Sequence, residues 1–167
     1  MAEFALVAPL FFLMVFFVIQ LGLIFSAQDG LVDGVRSAAR RAATYRINEA
    51  SFDAQVWPAI CTAIKGEIGA RLQGRVIGYS ATHLTPTLAY EWQQNPESGD
   101  YFLVAHISAS YNNQLYVPLV SAILDWADGS PSNPDNQLTL KASEQMRIEN
   151  PALQPSTNPP PSPPACP

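Results

Sequence analysis

Polar positions are nearly absent at the start of this chain. Between residues 4 and 27 only Gln20 and Ser26 are polar, and no charge occurs. A bilayer core about 30 Å thick takes about 20 apolar helical residues, so this run is long enough to span one. Pro9 falls early in the predicted helix, where few backbone donors have partners to lose. Neighbouring helices can satisfy the carbonyl that it frees. Gln20 is the costly member of the run. Either it rests near the membrane interface or pairs with its own copy, or it hydrogen-bonds a neighbouring helix.

After a weak interruption at Asp29-Gly30 the pattern changes. In "LVDGVRSAARRAATYRI" the residues Leu31, Val35, Ala38, Ala39, Ala42 and Tyr45 recur at three- and four-residue steps, with arginines between them. Alanine and arginine are good helix formers. One continuous helix to about Tyr45 would measure roughly 60 Å, oily in its first half and amphipathic in its second. A second helix is predicted in "SFDAQVWPAICTAIKGEIGARLQ", where Trp57, Ile60, Ile64, Ile68 and Leu72 form an apolar stripe. Pro58 suits a first turn if that helix begins at Trp57, and Ser51 or Asp53 can cap a preceding turn.

The period then changes to two. In "YFLVAHISASY" the positions Tyr101, Leu103, Ala105, Ile107, Ala109 and Tyr111 are all apolar, and the other face becomes polar at His106, Ser108 and Ser110. In "LTLKASEQMRI" Leu138, Leu140, Ala142, Met146 and Ile148 share a face broken only by Glu144. "RVIGYSATHL" alternates more weakly through Ile77, Tyr79 and Ala81. A further candidate, Leu88 to Trp92, follows Pro86 and suits an edge. "YVPLVSAILDWADG" predicts a turn and a short helix, ended by Asp128-Gly129 and Ser130-Pro131.

The predicted class is therefore α+β. A long N-terminal transmembrane or assembly helix continues into an amphipathic helix, followed by a small antiparallel sheet of three or four strands packed on helices. The corresponding division is 1–28 for the apolar helix, 29–50 for its extension, 51–150 for an α+β domain and 151–167 for a Pro-rich tail. The tail composition suits polyproline II or a solvated extension.

Composition and charge narrow the function classes. The net charge of −5 and the lack of any long basic run exclude an ordinary nucleic-acid binder. A cleavable signal peptide has a basic front, a shorter apolar centre and a small-x-small cleavage site. Here Glu3 stands in front and Phe25 occupies the wrong place before a cut after Ala27. Enzyme chemistry has little to rest on. His83 and His106 lack metal-ligand spacing, Asp125 and Asp128 fit a solvated turn, and neither a nucleophile elbow nor a phosphate-binding loop is present. No enzyme, cofactor or metal site is expected. Cys61 and Cys166 admit two readings: a disulfide tying the tail to the domain in an oxidising compartment, or a buried free Cys61 with an exposed tail thiol.

The segment "AEFALVAPLFFLMVFFVIQLGLIFSAQDGLVDGVRSAARRAA" resembles the start of TadE-like proteins, minor-pilin or pseudopilin components of tight-adherence (Tad) pili. The features that carry the resemblance are the acidic-aromatic pair Glu3-Phe4, then Ala5-Leu6-Val7, Pro9, Gln20-Leu21-Gly22 and the Ala/Arg-rich stretch from Arg36 to Ala43. "LTLKASEQMRIE" is similar to the last strand of such proteins. Two departures stand out. The family often has glutamate where Gln20 stands, and pilin-like precursors carry a basic leader ending in a processed glycine, whereas only Met1 and Ala2 precede Glu3. The chain is either truncated or already processed, with Met1 supplied in expression, or it is not handled by the prepilin peptidase.

The resemblance implies a structural subunit that inserts in the bacterial inner membrane with its C-terminal domain exported. It further implies contact with the bilayer, with other pilins or minor pilins through the N-terminal helix, and with the inner-membrane pilus assembly machinery. Glu3, Phe4, Pro9, Gln20 and Gly22 are the expected helix-contact residues. Glu3 would place a negative charge at a helix N-terminus and could pair with a neighbour's amino terminus, a contact worth more in an apolar bundle than in water. Counted naively, Arg36, Arg40 and Arg41 oppose export; the two cysteines and the polar, Pro-rich tail favour it. The alternative is a membrane-anchored extracytoplasmic binding module.

Overall fold

The structure, a computed structural model, describes residues 2–45, 56–117, 136–148 and 166, with side chains from Val7 onward. Helix α1 runs unbroken from Ala2 to Thr44, about 65 Å at 1.5 Å per residue. It passes straight through Asp29-Gly30. Helix α2 spans Val56–Gln73, which puts Pro58 in its first turn, where a missing N–H costs little. Three strands follow: β1 (Leu84–Gln94), β2 (Tyr101–Gln114) and β3 (Gln137–Arg147). They form an antiparallel sheet in the order β1-β2-β3. The α+β architecture expected from the sequence is the one observed.

The core lies between one face of this sheet and the two helices. Leu31, Val35, Ala38, Ala39 and Ala42 of α1 are buried, as are Trp57, Cys61, Ile64, Ile68 and Leu72 of α2. From the sheet come Leu88, Tyr90, Leu103, Ala105, Ile107, Ala109, Tyr111 and Leu140. Register explains the selection. Leu88 faces Ile107 and Tyr90 faces Ala105 across β1–β2, while Tyr111 faces Leu140 across β2–β3. The small alanines of β2 thus leave room for the Tyr90 ring, which packs 5.3 Å from that of Trp57.

Helix α1 approaches α2 closely because it carries glycine at the contact. A Cβ at Gly34 would lie 3.0 Å from the Ile68 carbonyl oxygen and 3.2 Å from its Cα. The sequence therefore tolerates a poor helix former in mid-helix, since any side chain there would push the helices apart.

Polar pairs register the helices and the sheet around this core. The Glu67 carboxylate of α2 accepts from the Ser37 hydroxyl and the Arg41 guanidinium of α1, both at 3.0 Å. Arg71 of α2 lies 3.5 Å from Glu67 and 3.8 Å from Asp33. Glu144, the one break in the apolar face of β3, reaches Arg36 of α1 at 3.7 Å. The outer sheet face carries hydroxyls, with Thr87 hydrogen-bonded to Ser108 at 2.5 Å.

Two strand expectations change. Residues 75–83 do not form a strand but two turns and a short 3-10 segment, Ala81–His83. Gly78 takes a φ of +68°, which favours glycine, and Arg75 is tied back to α1. The edge strand predicted from Leu88 to Trp92 is longer, Leu84–Gln94, with Pro86 inside it; an edge strand can hold a proline with its nitrogen turned away from the ladder. The turn and short helix expected in 116–129 fall almost wholly outside the described residues. So do Ser51, Asp53, Asp125, Asp128 and the Pro-rich tail, except for Cys166.

Candidate functional site

Helix α1 has two surfaces in succession. From Val7 to Ile19 its side chains are exposed apart from the half-buried Ala8 and Phe17, with Leu10 71% and Met14 66% exposed. Shallow apolar grooves run along this stretch, one of them lined by Leu10, Phe11, Leu13, Met14 and Phe17. From residue 20 onward a stripe of fully or nearly buried residues begins: Gln20, Ile24, Ala27, Leu31, Val35, Ala38 and Ala42. The steps of four and three residues are those of one helix face. The head therefore clasps α1 from Gln20 to Ala42, and the helix below it stands free.

Glu3 and Phe4 lie in the first turn of α1. Pro9 is exposed within the helix, whose geometry denies the Ala5 carbonyl its usual i+4 donor. Gly22 is exposed, and a Cβ there would meet nothing within 4 Å. Gln20 differs from expectation. Its side chain is fully buried, and its Oε1 accepts the backbone N–H of Tyr116 at 3.1 Å. This oxygen is turned into the chain's own head. The Gln20 Nε2 is buried with no hydrogen-bond partner.

A ring of contacts surrounds this junction. The Tyr116 hydroxyl donates to the Ile77 carbonyl at 2.6 Å. Ser26 donates to the Arg75 carbonyl at 3.1 Å, and the Arg75 guanidinium pairs with Asp29. Gln28 donates to the Lys141 carbonyl at 3.2 Å. Together these fix the head on the helix without an intervening hinge.

Electrostatics are perturbed at the helix–helix clamp, well above the junction. Hydrogen bonds from Ser37, and then from Arg41 and Arg71, hold the Glu67 carboxyl below the usual carboxylate range against the opposing effect of burial. Burial pushes the Tyr79 and Tyr111 hydroxyls up; their rings stack at 5.9 Å.

Cys61 and Cys166 are joined by a disulfide with Cα atoms 5.7 Å apart, within ordinary bonding range. Cys61 is buried in the core and Cys166 packs against it. The bond carries the far end of the chain back to α2. His106 lies on β2 with its Nε2 3.3 Å from the Glu91 carboxylate, and His83 lies beside the Tyr111 ring. Among the described residues no three His, Cys, Asp or Glu side chains gather as a metal site would need. What the geometry offers is a long apolar rod end continuous with the helix that the folded head packs on.

Sequence reading placed the start of the clasped face at Leu31 and missed Gln20, Ile24 and Ala27 as head contacts. Their spacing continues the later stripe, but within an all-apolar run that period has no polar counterpart to reveal it. Among the described residues α1 is the one helix long and apolar enough to cross a membrane. No curated protein and no solved structure matches the chain. Residues 1–40, which hold the bare rod and the first part of its clasped continuation, match the family model of TadE-like protein, the resemblance carried by the N-terminal sequence itself.

Proposed function

We propose that this protein is a minor-pilin or pseudopilin subunit of a Tad-type pilus. The bare half of α1 holds it in the inner membrane, the head is carried on the exported side, and assembly exchanges lipid around the rod for sister helices. The observation that carries this reading is the division of one continuous helix: large apolar side chains are exposed from Val7 to Ile19, and a packed face begins at Gln20. A stable soluble surface rarely leaves so large an apolar patch uncovered. The TadE-like match over residues 1–40 gives that rod its family context.

Export is supported by the Cys61–Cys166 disulfide, since such bonds persist in oxidising compartments. Arg36, Arg40 and Arg41 count against it by the positive-inside rule; the disulfide is the observation that favours it. In this reading Glu3, in the first turn of α1, pairs with a neighbouring subunit.

The test is to replace residues 4–19 with an unrelated apolar helix of equal length, leaving Gln20 and the clasped face intact. The protein should reach the membrane at its normal level and fail to support pilus formation. Normal piliation with the substituted rod would leave only an anchor, as in a membrane-held binding module.

A further inference from the structure

We infer that the end of the head nearest the bare rod is a lipid-facing surface, seated in the headgroup layer through Phe25, Ile77 and Tyr116. This rests on the reading of α1 as a membrane span, but not on which side of the membrane the head lies.

Length is the first reason. The uncharged stretch of α1 below the clasp runs over residues 4–19, about 24 Å of helix, against a hydrocarbon core about 30 Å thick. The deficit of about 6 Å corresponds to residues 20–23. Protein already occupies that level, because Gln20 is fully buried against the backbone of Tyr116. A helix that fills the core therefore draws the end of the head down into the interface. The alternative is a bilayer thinned to match the shorter rod.

The second reason is what the head presents there. Beyond residue 19, four large apolar side chains are exposed among the described residues: Phe25 at 67%, Val56, Ile77 at 64% and Tyr116 at 47%. Val56 begins α2; the other three gather at the junction. Tyr116 has the amphipathic form that membrane interfaces favour. Its hydroxyl also satisfies the Ile77 carbonyl, so that turn brings one fewer unpaired backbone acceptor toward lipid.

Charge draws the upper boundary. Among the described residues, no charged residue occurs in α1 from residue 4 to residue 28, nor in the junction segments 76–82, 112–117 and 136–140. Among the described residues the first charges are Asp29 and Arg75, paired with each other, with Asp29 about 6 Å beyond Phe25 along the helix axis. An uncharged collar with exposed apolar side chains thus lies between the rod and an ion pair at the level of water and headgroups.

The test uses the full chain in vesicles of phosphatidylethanolamine and phosphatidylglycerol, with a nitroxide at one introduced cysteine: Val15→Cys, Phe25→Cys, Ile77→Cys or Ser98→Cys. An intact Cys61–Cys166 bond, read by mass, reports that each labelled head is folded. Collision with oxygen relative to an aqueous nickel complex should be severalfold higher at positions 25 and 77 than at 98 in the β1–β2 turn, and highest at 15. If 15 is lipid-accessible but 25 and 77 match 98, the head stands clear of the bilayer and this inference fails while the span survives. If 15 also matches 98, the span fails and the inference falls with it.

Discussion

Breaking the Cys61–Cys166 bond by Cys166→Ser should loosen the head severely. The two residues are 105 apart in sequence. In the chain-entropy treatment a loop of that length removes about 4.8 kcal/mol of freedom from the unfolded chain at 25 °C, with native disulfides commonly contributing about 2–5 kcal/mol. Cys61 is 1% exposed and Cys166 packs against the core, so the bond sits on well-packed structure and should deliver about 3 kcal/mol or more. At about 4–8 °C per kcal/mol for a domain of about 100 residues, the melting temperature should fall by at least about 12 °C. Near-ultraviolet circular dichroism in detergent micelles is the suitable assay. Trp57 lies one turn before Cys61 and packs against Tyr90, so the signal follows the head and not the detergent-held rod. A midpoint unchanged within about two degrees would refute the chain-entropy reasoning, as would alkylation of Cys61 in the unreduced native protein.

Three further outcomes follow from the packing and the polar pairs. Gly34→Leu should destabilise the head by about 1–3 kcal/mol through overpacking, because the Ile68 backbone lies 3.0 Å from the first added carbon; denaturant midpoints measure it. Gln20→Leu should cost about 1 kcal/mol by leaving the part-buried Tyr116 N–H without its side-chain acceptor, and hydrogen exchange at Tyr116 should rise with it. Glu67→Gln should cost about 1 kcal/mol at neutral pH. The folded-state carboxyl titrates below its unfolded value, so its contribution is present above about pH 4.3 and is lost as pH falls through the lower folded value. Midpoints of wild type and variant should converge in acid; a gap that persists there would contradict the role given to the carboxylate.

The parts of the fold that sequence revealed are those where two surfaces of an element differ in polarity. Leu31 to Ala42 could be read as one face because Arg36, Arg40 and Arg41 mark the opposite one. The β2 strand was legible for the same reason, His106, Ser108 and Ser110 answering Ile107, Ala109 and Tyr111. Contrast fails between residues 4 and 27, where Ile24 facing protein and Phe25 facing outward are both simply apolar. Gln20 was visible as an anomaly, but its partner is a backbone N–H 96 residues away, which no local pattern encodes. Residues 75–83 alternate weakly but form no strand, because Gly78 turns the chain at positive φ and Arg75 is bound to the helix. Spacing was equally silent on the disulfide, since it rests on how a distant tail returns to α2.

The central claim is that the bare rod leaves lipid for the company of like helices, and one measurement addresses it directly. A photoreactive phenylalanine analogue placed at Phe11, 60% exposed, in cells assembling pili should yield adducts with other pilin subunits that vanish when assembly is blocked. Adducts with lipid alone, equally abundant whether or not pili form, would contradict it.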